Sequence, residues 1–141
     1  MTACLRRLAA VFLVLALTAC NSTGPSDEPP FQVIDLRLGT GAEAVNGKIA
    51  IVDYVGWFYD ETKPENKGEV FDTSLNSPEP FDFILGVGGV IRGWDQGVVG
   101  MKVGGVRRLI IPSSLAYGGQ RVGSIPPYST LVFEVELLEV R

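Results

Sequence analysis

The sequence predicts an α+β fold in which a curled antiparallel β-sheet of about five to six strands wraps over one short α-helix. Two observations lead to this expectation. Beyond residue 30, most of the chain consists of short runs rich in β-branched and aromatic residues, separated by turns that contain Gly or Pro. Only one stretch, GVIRGWDQGV at residues 89–98, begins an apolar pattern with helical spacing.

The strand pattern is clearest at the C-terminal end of the chain. There Leu131, Phe133, Val135 and Leu137 alternate with mixed residues, so one face of the strand is apolar throughout. The charged segment ETKPENKG at residues 61–68 is interpreted as a solvent-exposed loop. The expected strands lie in FQVIDLRLG (31–39), KIAIVDYVGWFYD (48–60), EVFDTS (69–74), FDFILG (81–86), GGVRRLIIP (104–112) and STLVFEVELLEVR (129–141).

The expected helix has an apolar face but a weak composition. Gly93 and Gly97 each cost about 1 kcal/mol of helix propensity relative to alanine. The helix must therefore be held by burying its apolar face against the sheet. The residues of that face, at spacings of three, four and three, are Ile91, Trp94, Val98 and Met101.

The N-terminal segment is typical of an exported protein. A basic start at Arg6 and Arg7 precedes an apolar run at residues 8–17, too short to span a bilayer comfortably, so residues 1–19 are predicted to be a signal peptide. The residues Leu-Thr-Ala-Cys at 17–20 resemble a bacterial lipobox, which implies that Cys20 is lipidated; an ordinary secretory signal is the alternative. Residues 20–30 are then the lipidated Cys and a flexible tether, and the domain covers 31–141.

The composition excludes several classes of function. Removal of residues 1–19 leaves 10 basic and 16 acidic residues, and a net charge of −6 argues against nucleic acid as a partner. The sequence has no histidine, and its two cysteines would be lost to the signal and to lipid, so no metal site, cysteine nucleophile or disulfide is expected. The Gly-rich stretches lack the phosphate-loop spacing, and no cofactor is predicted. Asp72 and Asp82 are interpreted as solvated rather than as a hydrolytic pair.

The aromatic residues suggest a small-ligand site. They come from several different predicted elements, at Tyr54, Phe71, Phe81, Phe83, Trp94, Tyr117 and Phe133. The plain alternative is that they form the core. Two local details favour a pocket: Asp72 follows Phe71 directly, and Tyr117 lies in the glycine-rich loop LAYGGQ, where a large aromatic is more often at a rim than in an interior.

Several motifs taken together resemble the FKBP-type peptidyl-prolyl cis-trans isomerases. They are YVGW, VFDTS, PFDFILGVGGVIRGWDQGVVGMKVGGVRRLIIPSSLAYG, IPP and TLVFEVELL, in order over residues 31–141. The resemblance implies an enzyme that rotates X-Pro bonds, with proline-containing polypeptides as substrates and macrolides as pocket ligands. It implies polar contacts from Asp72, Tyr117 and the backbone amide of Ile91. The implied apolar walls and floor are Tyr54, Phe71, Phe81, Val90, Trp94, Ile125 and Phe133, with Phe83 packed just behind.

The chain departs from the family pattern in two loops. The segment between Tyr54 and Phe71 is longer than in the smallest members, and GGQRVGS at 118–124 differs in length and composition from the eukaryotic loop, which bears on inhibitor affinity. Two alternatives stay open: a non-catalytic chaperone that uses the same pocket, and a surface lipoprotein with an interaction role. The expected protein is a monomer in the cell envelope, lipid-anchored at Cys20, on the outer membrane facing the periplasm if the source has two membranes.

Overall fold

The computed structural model describes residues 27–141, which form a six-stranded antiparallel sheet and one short helix, and it confirms the predicted fold class. Helix α1 covers Arg92–Gly97, and 3-10 turns lie at Pro64–Asn66 and Ser113–Leu115. Within this part of the chain no helix is long and apolar enough to cross a bilayer. The strands are β1 (Gln32–Arg37), β2 (Ile49–Tyr59), β3 (Lys67–Thr73), β4 (Phe81–Ile84), β5 (Val106–Ile111) and β6 (Leu131–Val140).

Strand β2 organises the sheet because it pairs with three other strands. The order is β1-β5-β6-β2-β3, and β4 also pairs with β2. One edge of β2 runs along β6, whereas the other is divided between β4, which pairs with residues 49–52, and β3, which pairs with residues from Val55 onward. Between them, Ser74 accepts a hydrogen bond from the Tyr54 amide through Oγ (2.9 Å). The divided edge brings the end of β3 and the start of β4 to the same region of the sheet.

The core lies between the apolar face of the sheet and helix α1. The alternation predicted for the last strand is confirmed, because Leu131, Phe133, Val135 and Leu137 are all buried. Burial of this apolar face and of the facing residues on β2 and β5 is the main source of stability in such a layered fold. The helix closes the core from the concave side of the sheet.

The helix is shorter than the sequence predicts. Trp94, Val98 and Met101 are buried as expected, but Ile91 is only the half-buried N-cap residue, and the helix ends at Gly97. The chain turns away at Gly100, whose φ of +84° lies in the left-handed region. Met101 therefore reaches the core from the turn after the helix rather than from a further helical turn.

The glycines of α1 allow it to approach β5 closely. A Cβ atom on Gly93 would lie 2.5 Å from Ile111 Cγ2, and one on Gly97 would lie 2.6 Å from Leu109 Cδ2, both well inside van der Waals contact. These two positions face the sheet, so the low helix propensity of glycine is offset by the packing that its small size permits. The glycines thus set the distance between helix and sheet.

The charged loop after β2 is exposed over residues 61–65, as predicted, but ion pairs fix its end to the sheet. Glu65 pairs with Lys67 (2.8 Å) and with Arg108 (2.7 Å), and Arg108 also pairs with Glu134 of β6 (2.8 Å). The two cations hold the pKa of the Glu65 carboxyl below its ordinary value, chiefly through hydrogen bonds. The network defines where β3 begins.

Residues 27–30 lie against the domain, although the sequence places them in the tether. Glu28 Oε2 accepts a hydrogen bond from the backbone amide of Ser113 (3.1 Å), and Glu28 and Pro29 are half-buried. The predicted signal peptide at 1–19, the lipidated Cys20 and the first part of the tether lie outside the described residues. The boundary between tether and domain at residue 31 stays a prediction. Contacts with the domain are already present at Glu28.

Replacing Gly93 by alanine should lower the free energy of unfolding by about 1–3 kcal/mol, the usual cost of overpacking a core. Alanine has the higher helix propensity, so a loss of stability would come from the clash with Ile111. Urea denaturation measures the change. Gln96→Ala, at an exposed position of the same helix, is the control and should be nearly neutral. A Gly93→Ala protein as stable as wild type would show that the close approach is not a constraint.

Candidate active site

A cavity of about 180 Å³ opens on the concave side of the sheet, above helix α1. Residues from four strands (β2, β3, β4 and β6), from α1, from the segment before it and from the loop after β5 meet there. Its wall is mostly aromatic and aliphatic, with a carboxylate and a phenol at the mouth. The lining residues are Tyr54, Asp72, Phe81, Gly89, Val90, Ile91, Trp94, Tyr117 and Phe133.

Trp94 forms the floor of this cavity and is 4% exposed. It stands roughly perpendicular to its aromatic neighbours, an arrangement that places ring edges against ring faces and that adds to the stability gained from burial alone. Its contacts on the pocket side and on the core side hold the indole in one orientation. The ring centroids lie 5.1 Å from Tyr54, 5.9 Å from Phe81, 5.5 Å from Phe83 and 5.3 Å from Phe133.

Asp72 provides the negative charge at the rim and is held from two sides. Its Oδ2 accepts a hydrogen bond from the Tyr54 hydroxyl (2.7 Å), and its Oδ1 accepts one from the Thr73 amide (2.9 Å). The pairing of β2 with β3 sets this geometry, because Asp72 lies opposite Gly56. The carboxylate therefore has a fixed position beside the cavity.

The two tyrosines of the site stay protonated over a wide pH range. Burial, followed by the hydrogen bond to Asp72, raises the pKa of Tyr54 far above its ordinary value. Burial, followed by the nearby charge of Asp72, raises the pKa of Tyr117 as well. Because each phenol is neutral at physiological pH, the Tyr117 hydroxyl can act as a hydrogen-bond donor at the mouth of the cavity.

The backbone amide of Ile91 is a second available donor. Ile91 is the N-cap residue of α1, and its carbonyl accepts the Trp94 amide (2.9 Å) and the Asp95 amide (3.3 Å). Its own N–H has no acceptor among residues 27–141. An apolar N-cap side chain gives the helix no capping hydrogen bond. Isoleucine at this position therefore lines the cavity but adds no capping stability to the helix.

The structure brings together eight of the residues that the sequence predicts for the site, and two lie elsewhere. Phe71 packs one layer behind, with its ring 5.0 Å from Phe58 and 5.5 Å from Phe133. Ile125 is buried in the core cluster and bridges to Val122 across a narrow turn. The eight are Tyr54, Asp72, Phe81, Val90, Ile91, Trp94, Tyr117 and Phe133.

One lining residue, Gly89, was not predicted. It has no side chain to suggest chemistry, and nothing in the sequence distinguishes it from Gly88. Phe83 lies behind the cavity, as expected, in contact with Phe81 and Trp94. The assembled site can hold a small apolar ring over Trp94 while the Tyr117 hydroxyl and the Ile91 amide donate hydrogen bonds to carbonyl groups on either side.

Comparison with known proteins gives consistent matches. The family model described as FKBP-type peptidyl-prolyl cis-trans isomerase matches residues 41–138. An FK506-binding protein of Neisseria meningitidis serogroup A is 51% identical over 107 residues, covering 75% of this chain and 92% of that protein. An FK506-binding protein of Streptomyces anulatus is 47% identical over 120 residues, covering 82% and 92%.

A solved structure has the same fold. The crystal structure of FkpA from Escherichia coli superposes with a TM-score of 0.68 at 40% sequence identity, covering 79% of this chain and 48% of that one. An identity at this level supports likeness of the site as well as of the fold.

Asp72→Val should lower the turnover of a proline-containing tetrapeptide by about tenfold or more, equivalent to about 1.4 kcal/mol of transition-state stabilisation. The substitution removes the rim charge and roughly keeps the side-chain volume. A protease-coupled isomerisation assay measures the rate, and circular dichroism shows whether the variant is folded.

Tyr54→Phe is the matched variant, because it removes the hydroxyl that Asp72 binds and leaves the carboxylate in place. A smaller loss of turnover is expected for it than for Asp72→Val. Wild-type turnover in a folded Asp72→Val protein would exclude a catalytic role for the carboxylate.

Proposed function

Since the chain belongs to the FKBP-type family and is a peptidyl-prolyl cis-trans isomerase, we propose that the cavity over Trp94 is where it binds and rotates X-Pro bonds. The observation that supports this most directly is the buried indole floor, enclosed by aromatic walls and facing two hydrogen-bond donors and one carboxylate. A proline ring fits such a floor, and the two donors suit the carbonyls that flank it.

The reaction requires rotation about a bond, and no bond is formed or broken. The barrier to rotation of a peptide bond is about 18–20 kcal/mol, because amide resonance is lost in the twisted state. The planar amide is the more dipolar form, so water stabilises it more than it stabilises the twisted form. Transfer into a cavity lined by Trp94, Phe81 and Phe133 removes this preference and lowers the barrier.

The polar groups select the twisted geometry. The Tyr117 hydroxyl and the Ile91 amide hold carbonyl oxygens of the substrate chain, so that the chain on one side of the bond is fixed while the other side turns. Asp72, fixed by Tyr54 and Thr73, places its negative charge beside the twisted imide. These roles do not depend on proton transfer, which agrees with the absence of histidine from the sequence.

The same cavity is proposed to bind macrolides. The relatives from Neisseria meningitidis and Streptomyces anulatus are named FK506-binding proteins. A macrolide that places a saturated ring and adjoining carbonyls over Trp94 would occupy the position of the proline and compete with the substrate. The different loop at residues 118–124 adjoins Tyr117 and is expected to tune the affinity.

The protein is further proposed to act as a monomer in the cell envelope, anchored through lipid on Cys20. The support is the lipobox resemblance at residues 17–20. Two or more acyl chains would give a stable anchor, whereas one chain binds only marginally. Because residues 27–30 lie against the domain, six residues, 21–26, separate Cys20 from its described part, and the chain from Cys20 to Asp27 spans about 25 Å at most. The domain would thus stay close to the membrane, on the periplasmic side of an outer membrane where one exists.

The full chain should isomerise a proline tetrapeptide, and FK506 should inhibit the reaction competitively. Competition is expected because the ligand and the proline ring would occupy the same floor. An isomerisation assay at several substrate concentrations gives the inhibition pattern. A macrolide that binds in calorimetry without affecting turnover would place the active site outside this cavity.

Cys20→Ser should move the protein from the membrane fraction and abolish labelling by radioactive palmitate, because the acylated sulfur is lost. Fractionation and metabolic labelling in a bacterial host measure both effects. Cys4→Ser is the matched control, since Cys4 lies within the predicted signal peptide, and it should label and fractionate as wild type. Unchanged labelling of Cys20→Ser would contradict the proposed anchor.

A further inference from the structure

The segment at residues 86–90 joins β4 to α1 and carries part of the site. Gly89 and Val90 line the cavity, and so does the next residue, Ile91, whose amide is the proposed donor to the substrate. The segment has little packing of its own: residues 86–89 are exposed, and a Cβ atom on Gly88 or Gly89 would meet nothing within 4 Å. Its position must therefore come from another interaction.

Asp95 supplies that interaction from the first turn of α1. Its Oδ1 accepts a hydrogen bond from the Gly86 amide (2.8 Å), and its Oδ2 accepts one from the Gly88 amide (2.9 Å). Both glycines have φ in the left-handed region, +82° and +77°, so the backbone is bent to direct these amides at one carboxylate. Hydrogen bonds to an ionised acceptor are stronger than neutral ones.

Within the described part of the chain, residues 86–90 make no hydrogen bond other than these two. The neighbouring residue Leu85 is fixed by bonds to Gly47 and Lys48, and the carbonyl of Ile91 is fixed by its bonds into α1, whereas the Ile91 N–H belongs to the peptide unit that it shares with Val90. Apart from the packing of Val90 against the core, Asp95 thus provides the link between this segment and a helix that Gly93 holds close to the sheet. The carboxylate does not line the cavity.

We propose that Asp95 is a positioning residue for the isomerase reaction, which holds residues 86–90 so that the Val90 wall and the Ile91 amide are in place before substrate arrives. This inference rests on the proposed role of the cavity. Without the carboxylate the segment would sample other conformations, and the apparent affinity would fall with the fraction of molecules in the competent one. Once bound, the substrate would meet the same groups, so the rotation step would be little changed.

The test separates KM from kcat for a proline tetrapeptide with the full chain. Asp95→Asn, which keeps the size but has one carbonyl oxygen, and Asp95→Ala should raise KM about fivefold or more, with kcat within about twofold of wild type. Asp95→Glu, which keeps two carboxylate oxygens, should restore most of the affinity. Gln96→Ala, on the exposed side of the same helix, should leave both constants unchanged.

Hydrogen exchange gives an independent readout on the wild-type protein. The Gly86 and Gly88 amides should exchange slowly despite their exposed loop, and in Asp95→Asn they should exchange much faster while amides of β6 keep their protection. Unprotected Gly86 and Gly88 amides in wild type would overturn the proposal. So would an unchanged KM in folded Asp95 variants, or a loss of stability without a change in KM. A wild-type protein without turnover, in contrast, would refute the proposed site itself.

Discussion

The close approach of helix α1 to strand β5 is the constraint on which the rest of the structure depends. Gly93 and Gly97 leave room for Ile111 and Leu109, so the helix can lie close to the sheet. At this distance the Trp94 side chain is buried beneath the cavity and leaves the cavity open above it. A six-residue helix with two glycines would not be stable in isolation. Its stability comes from the sheet, and the sheet in turn is closed on its concave side by the helix.

The site combines a dry interior with a polar mouth. Among the rings around Trp94, Phe81, Phe83 and Phe133 have no hydrogen-bonding groups, and the Tyr54 hydroxyl donates to Asp72 at the rim. The indole N–H of Trp94 is buried without a partner in residues 27–141. The charge and the donors lie at the rim, on Asp72, Tyr117 and the Ile91 amide. This separation suits a reaction whose barrier depends on solvation, because the reacting amide is removed from water while its neighbours remain hydrogen-bonded.

Periodicity in the sequence was sufficient to predict the apolar face of the last strand, but it was insufficient to predict where the helix begins and ends. The alternation from Leu131 to Leu137 predicts a strand with one apolar face, and the burial of that face in β6 follows directly from the two-residue repeat of a strand. Met101 continues the helical spacing by coincidence, because a left-handed Gly100 returns the chain to the core after the helix has ended. A pattern of apolar residues records burial, and burial can be reached by more than one backbone path.

For the site, the family resemblance named the side chains, but it did not separate lining residues from supporting ones. Phe71 packs against the lining residue Phe133, and Ile125 lies in the core cluster. That distinction depends on the register of β3 and on a turn near Val122, neither of which a single sequence specifies. The sequence carries no signal for the roles of Gly89 and Asp95 for a different reason. One contributes only backbone, and the other acts through the amides of two glycines.

The divided edge of β2 also bears on how this kind of site can change over evolutionary time. Strand β3, with Asp72, and strand β4, with Phe81, are each fixed on β2 by their own ladder rather than on each other. The connecting segment at residues 75–80 is largely exposed and carries neither ladder. Insertions and deletions there should leave Asp72 and Phe81 in register on β2, so the outer surface of the domain can change in evolution while the cavity beneath it is kept.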